Sequence, residues 1–231
     1  MTEVLITGAN AGIGLATASK FAENGFHVIA LDKTIDSPVL RADARITSVE
    51  FDLQNVGGIA KLVSGLGIID VLVNNAGIIN SMTYENYDEE AKRRIMAINL
   101  EAPVEMITRV APGMISRHLG RVVNISSVNG KIGHSDIWYG ITKAGIMNMT
   151  KSFSKALGPQ GILVNCVAPG PVDTAMLKMA PQDRVRSFID MSIEKRAATA
   201  EEIAEVAYWL GTTSPAYMNG AVLDVNDGIR L

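Results

Sequence analysis

The chain has 231 residues, 48% of them hydrophobic and 19% charged, with a formal net charge of −3. That composition supports a large buried core, excludes intrinsic disorder, and leaves no electrostatic footprint for nucleic acid or an anionic membrane; the expected partner is a small molecule. The only cysteine, Cys166, excludes an internal disulfide. With no apolar run of membrane-spanning length, and a strand starting directly after Met1-Thr-Glu, the expectation is a cytoplasmic protein whose residues 1–231 form one domain.

Val4-Leu-Ile-Thr7 reads as a short apolar strand, followed by Gly8-Ala-Asn-Ala-Gly12-Ile-Gly14 and a helical pattern of Leu15, Ala18, Phe21 and Ala22. Glycines between a strand and a helix allow a tight turn and close backbone approach, while the helix's first amides and its dipole face any anion above them. A pyrophosphate is the natural occupant. His27-Val-Ile-Ala-Leu-Asp32 is the next strand. It ends in a carboxylate about 20 residues past the glycines, where a dinucleotide fold places an acid on the adenosine ribose. Residues 33–45 carry Pro38, mixed charges and no firm period, which suggests a loop or a short turn of helix.

Ile46 to Asp52 reads as a third strand, with Asp52-Leu53 beside the adenine site, and Val56 to Leu66 as a modest helix. Asp70-Val-Leu-Val-Asn-Asn-Ala-Gly77 is a fourth strand whose small residues let a cofactor pass close over the sheet. A long helical pattern runs from Glu89 to His118 and contains Pro103, which lacks the N–H that would bond the Asn99 carbonyl. A kink is expected there, leaving that carbonyl free to hold water.

Arg121-Val-Val-Asn-Ile-Ser-Ser127 reads as a buried strand ending in hydroxyls, and Tyr139-Gly-Ile-Thr-Lys143 opens a helix that continues to Leu157. Residues four apart share a helix face, so Tyr139 and Lys143 project side by side. An adjacent ammonium favours the phenolate, which would lower the Tyr139 pKa and make it a usable acid/base while Ser127 holds a substrate oxygen. Ile162 to Ala168 is a further strand carrying Cys166 as a buried thiol, and Pro169-Gly-Pro171 makes a rigid bend at its end. Residues 175–196 are rich in Met among charges, as in a lid with an adaptable apolar inner surface or a packed surface helix. Thr199-Ala-Glu-Glu202 is a capping box that starts a helix, and Gly220 to Val225 closes the sheet.

Taken together, Thr7-Gly-Ala-Asn-Ala-Gly-Ile-Gly14, Asn74-Asn-Ala-Gly77, Asn99, Ser127, Tyr139-Gly-Ile-Thr-Lys143 and Pro169-Gly170 resemble, in order, the motifs of the classical short-chain dehydrogenase/reductase family, in a 3-oxoacyl-acyl-carrier-protein reductase-like form. The resemblance covers essentially the whole chain. It implies an α/β three-layer Rossmann fold with a doubly wound parallel seven-stranded sheet of order 3-2-1-4-5-6-7. It also implies catalytic roles: Tyr139 as general acid/base, Lys143 on the nicotinamide ribose and acting on Tyr139, Ser127 orienting the substrate oxygen, and Asn99 holding the water that links Lys143 to solvent. Cofactor positions implied are Gly8, Asn10, Gly12, Ile13, Gly14, Asp32, Asp52, Leu53, Asn75, Ala76, Gly77, Tyr139, Lys143, Pro169, Gly170, Val172 and Thr174. No metal is expected.

The expected activity is hydride transfer between NAD, with NADP second, and a secondary alcohol or ketone; 3-oxoacyl thioester reduction and small hydroxy-compound oxidation both remain open. In this family the 89–118 and 138–157 helices pair between subunits, so a homodimer or homotetramer is implied. The Ser127 to Tyr139 interval is one residue shorter than is common in the family, which leaves Ser126 as a possible sharer of the Ser127 role. A silent dinucleotide-binding regulator is the alternative from another class, but such chains typically lose the tyrosine or lysine. An epimerase or dehydratase on the same fold usually carries a further C-terminal domain, and little follows residue 225 here. The substrate pocket is expected to be mainly apolar, without a carboxylate clamp, and lined by Ile79, Asn129, Ile132, Ile137, Trp138, Pro171 and Met176.

Overall fold

A computed structural model describes residues 2–229. Seven strands form one parallel sheet: β1 (Glu3–Thr7), β2 (His27–Asp32), β3 (Ile46–Glu50), β4 (Val71–Asn74), β5 (Gly120–Ile125), β6 (Ile162–Pro169) and β7 (Val222–Val225), in the spatial order β3-β2-β1-β4-β5-β6-β7. Alternation along each strand feeds two cores. Leu5, Leu72, Val122 and Cys166 face one side, and Val4, Ile6, Val71, Val73 and Val123 face the other.

The first face is covered by α3 (Ile59–Ser64), α5 (Ala102–Ile115) and α7 (Ile137–Leu157), and the second by α1 (Gly12–Glu23), α2 (Pro38–Ala42) and α10 (Ala200–Gly211). Phe21 of α1 is fully buried and meets Phe26 and Tyr208 edge-on, at centroid distances of 5.3 and 5.0 Å. Truncating it to Ala would cost about 3–5 kcal/mol. The Thr199 capping box starts α10 as its sequence indicates, and the segment after Asp32 contains only the five-residue α2.

The long helical pattern does not simply kink. It is divided into α4 (Glu89–Met96) and α5 by one wide π turn, Ala97–Glu101, which accommodates Pro103 in the first turn of α5. Such turns insert an extra residue per turn and often sit at functional sites. This one carries Asn99, which is buried. Two short helices, α8 (Ala175–Lys178) and α9 (Gln182–Ile189), occupy the Met-rich segment, and α6 (Asn129–Ile132) lies between β5 and α7.

From β1 the chain winds outward to β2 and β3, then returns to β4 on the other side of β1. The strand order therefore reverses between β1 and β4. Crevices beyond the carboxyl ends of strands at such a reversal are where open α/β sheets hold ligands.

Candidate active site

A cavity of about 780 Å³ opens at this reversal. One wall comes from the turn after β1. Gly8 has a φ of +66°, and a Cβ placed there would stand 2.8 Å from the Ala76 Cα. The following helix has Ala11 at its N-cap, no side-chain cap and no acid in its first turn. Its amides therefore face the cavity without a competing carboxylate, a donor set that fits an anion such as a pyrophosphate.

Most sequence-predicted cofactor residues line this cavity: Gly8, Gly12, Ile13, Asp32, Asp52, Leu53, Asn75, Ala76, Gly77, Tyr139, Lys143, Pro169, Gly170, Val172 and Thr174. Two do not. Gly14 lies behind the turn, where a Cβ would fall 2.0 Å from the Gly8 carbonyl oxygen, so its part is to let helix and turn pack together. Asn10 turns its side chain away: Nδ2 donates to Asp36 at 2.6 Å, and Oδ1 accepts the amides of Asp36 and Ser37 at 3.0 Å each. Its backbone N–H donates to the Asp32 carboxylate at 2.9 Å, so Asn10 braces the loop that presents Asp32. The Gln54 amide and the Lys33 ammonium, which pairs with Asp52 at 3.0 Å, hold the Asp52 carboxyl below its usual range.

Thr7, at the end of β1, ties this wall to the next strand. Its Oγ1 accepts the amides of Asn75 and Ala76 at 3.1 Å each, and the Asn75 side chain donates back to the Thr7 and Gly8 carbonyls at 3.0 Å.

At the other end, β5 and α7 deliver the hydroxyl, phenol and amine. Asp136 caps α7: one oxygen accepts the Tyr139 amide at 3.1 Å, and the other accepts the amides of Asn80 and Ser81 at 2.9 and 3.2 Å. A buried carboxylate thus clamps the start of α7 to the loop after β4. Ser126 and Ser127 both line the cavity; the Ser126 hydroxyl donates to the Lys143 carbonyl, whereas the Ser127 Oγ accepts the Asn129 amide at 3.2 Å and acts on the Tyr139 phenol. Lys143 donates from Nζ to the Ile125 carbonyl at 3.0 Å, and that nitrogen stands 5.7 Å from the Tyr139 ring centroid. Asn99 does not reach the cavity wall; its amide bridges the N–H and C=O of Ile78 at 2.8 and 2.9 Å and donates to Thr142 at 3.2 Å. It meets Lys143 around Gly77, where a Cβ would stand 3.4 Å from Nζ and 3.6 Å from the Asn99 Oδ1.

The electrostatics correct one sequence expectation. Burial pushes the Tyr139 phenol up, the Ser127 hydrogen bond opposes this, and the Asp136 charge adds to it. Burial also brings the Lys143 amine down to about 8. The ammonium is aimed at the Ile125 carbonyl rather than the phenol oxygen, so desolvation outweighs its pull on Tyr139. Cys166 is inert as expected, its buried thiol pushed up to about 12.

Of the expected substrate-side residues, Ile79, Asn129, Ile132, Pro171 and Met176 line the cavity. Ile137 and Trp138 do not: Ile137 is exposed, and Trp138 packs toward Tyr87, with Lys92 5.0 Å from its ring centroid. Successive side chains of a helix point about 100° apart, and Tyr139 occupies the inward direction. Asp136, His134 and Arg184 are the residues sequence reasoning missed. Only Asp136 left a trace, as an Asp three residues before the Tyr139 position of a helix.

The family model for short chain dehydrogenases matches residues 2–185. The chain is 35% identical to the 3-oxoacyl-acyl-carrier-protein reductase FabG of Thermotoga maritima, covering 97% of this chain and 96% of that one. It is 29% identical to the acetoacetyl-CoA reductase of Cupriavidus necator, covering 98% and 97%. A solved structure from Beutenbergia cavernae, provisionally assigned as an NAD(P)-dependent gluconate 5-dehydrogenase and holding NADP at low occupancy, superposes with a TM-score of 0.93 at 29% identity, over 99% of this chain and 96% of that one. The chain belongs to the short-chain dehydrogenase family of nicotinamide-dependent oxidoreductases.

Proposed function

We propose that this protein interconverts a secondary alcohol and a ketone, with Tyr139 as general acid/base and NAD as the preferred cofactor. The observation that carries this reading is the convergence of Ser127, Tyr139 and Lys143 on the same cavity as the uncapped glycine turn. When bound there, the nicotinamide supplies the hydride chemistry. The chain's own residues do the rest. Ser127 and Tyr139 hold the substrate oxygen, and Tyr139 gives up its proton as a ketone becomes an alcohol or takes one in the reverse direction. Lys143 would hold the nicotinamide ribose, and Asn99 fixes the Ile78 loop beside it.

The NAD preference rests on Asp32, whose carboxylate lines the adenosine end of the cavity. Two unit charges about 4 Å apart interact by roughly 4 kcal/mol at an effective dielectric of 20, and a third of that gives about a tenfold preference. Lys33 is the cation best placed to accept a 2′-phosphate, and Asp52 holds it. The NADP bound by the Beutenbergia cavernae protein favours the opposite reading. Comparing kcat/KM for the two cofactors in the parent and in Asp32→Ala decides between them: the parent is expected to favour NAD and the variant to lose that ratio, and equal or better use of NADP by the parent contradicts it.

The exposed apolar side chains of Val104 on α5 and Ile141 on α7 support pairing of these helices between subunits. Sedimentation at micromolar concentration should show a dimer or tetramer.

A further inference from the structure

The catalytic end of the cavity is not uniformly apolar. His134 and Ser135, in the loop before α7, and Arg184, on α9, line it together. Arg184 donates from its guanidinium to the Ser135 Oγ at 2.7 Å, and among the described residues it has no ion-pair partner. The His134 ring packs against the Tyr139 ring at a centroid distance of 5.3 Å. Its Nδ1 accepts the Asp136 backbone N–H at 3.0 Å, which places the proton of the neutral ring on Nε2 as a donor. Burial and the nearby Arg184 charge hold the ring below its usual pKa, with Asp136 opposing them, so the ring is neutral near pH 7.

Negative charge is missing from this end. Among the described residues, the carboxylates lining the cavity are Asp32 and Asp52, both at the adenosine end. Asp136 is close by, but it is 1% exposed and its two oxygens already accept three backbone amides. A guanidinium without an ion-pair partner, an imidazole N–H and a serine hydroxyl therefore line the same cavity as the catalytic phenol, which the His134 ring contacts, with no competing anion lining this end. An arginine fork beside neutral donors is a geometry suited to a carboxylate.

We propose that His134, Ser135 and Arg184 form a carboxylate-binding subsite, and that the substrate is a small hydroxy or oxo acid whose carboxylate lies a few bonds from the carbon served by Tyr139. The substrate class rests on the oxidoreductase reading above; the subsite does not. The contact between the His134 and Tyr139 rings sets the short separation, and Met176, Phe188 and Met191 supply an apolar wall for the rest of the molecule.

The test uses the parent protein saturated with oxidised cofactor, in which no hydride is available to a ketone and binding is read without turnover. Calorimetric titrations with 3-oxobutanoate, its methyl ester and its N-acetylcysteamine thioester compare one carbon skeleton with and without the anion. The acid is expected to bind about tenfold more tightly than either neutral form, as a charge-assisted contact at a solvent-accessible site would give, and this advantage should shrink at high salt. Arg184→Ala should remove the advantage while leaving ester affinity unchanged, and Arg184→Lys should keep part of it. An acid that binds no better than the ester, a thioester that binds best, or an Arg184→Ala variant that weakens all three equally overturns the proposal. If the acid preference and its Arg184 dependence appear but no alcohol or ketone is turned over, the subsite stands and the oxidoreductase reading fails.

Discussion

The Ser126 hydroxyl donates to the Lys143 carbonyl at 2.7 Å, joining the end of β5 to the second turn of α7. That bond separates two adjacent serines with the same chemistry. Ser126 is spent on backbone, and Ser127 is left beside the Tyr139 side chain. The proposed substrate-orienting role therefore stays with Ser127 despite the shortened loop to Tyr139. Ser127→Ala should lower kcat by about 10²-fold, as loss of one oxygen-stabilising donor does elsewhere, with the fold intact. Ser126→Ala should cost about 1 kcal/mol of stability and spare turnover. Thermal melts and steady-state kinetics on both variants check the pair, and the reverse pattern would assign the role to Ser126.

Asp136 is predicted to shape the pH dependence. Its negative charge raises the Tyr139 pKa, while the groups around the phenol also include Ser127, the neutral His134 ring and the Lys143 amine. Asp136→Asn keeps a side-chain oxygen for the α7 cap and removes the charge. In alcohol oxidation, where Tyr139 must accept a proton, the rising limb of the kcat profile should move to lower pH. A limb that stays in place would show that Asp136 is only a clamp. Asp136→Ala should also cost about 1–2 kcal/mol through the lost cap.

Lys143 gives a stability prediction with a definite sign. Its amine is at about 8 in the folded protein against 10.5 as the ordinary value, so burying the charge costs stability fully below pH 8. As pH rises from 8 toward 10.5 the unfolded chain holds the extra proton, and the cost shrinks. The span corresponds to something of the order of 3 kcal/mol. Without added cofactor, Lys143→Met should melt higher than the parent at pH 7, and the gap should narrow between pH 8 and 10.5. The parent-to-variant difference is the quantity to follow, because the buried Cys166 thiol, raised to about 12, pulls total stability the other way above pH 9. A gap independent of pH would contradict the buried-charge account.

The sequence made the inner strands legible because they are short apolar runs alternating between two covered faces, as Val4, Leu5 and Ile6 show. The glycine turn and the Tyr139–Lys143 spacing are local, so they too could be read directly. Asn10 could not, because its partners Asp36 and Ser37 lie in a loop with no periodic signal. The π turn escaped because Pro103 specifies that a helix must adjust, not how. Arg184 meets Ser135 from 49 residues away along the chain, and no spacing rule links an exposed helix residue to a loop on another element. The Tyr139 pKa direction needed the burial and the aim of Lys143, neither of which follows from residues four apart on a helix.

The central claim is that Tyr139 moves the proton, and Tyr139→Phe removes only that hydroxyl. Once a turned-over alcohol is in hand, kcat for parent and variant should be compared alongside cofactor affinity and melting temperature. The account predicts that turnover falls by about 10²–10⁴-fold while the fold and nucleotide binding are retained. Near-parental turnover in a correctly folded Tyr139→Phe protein would contradict it.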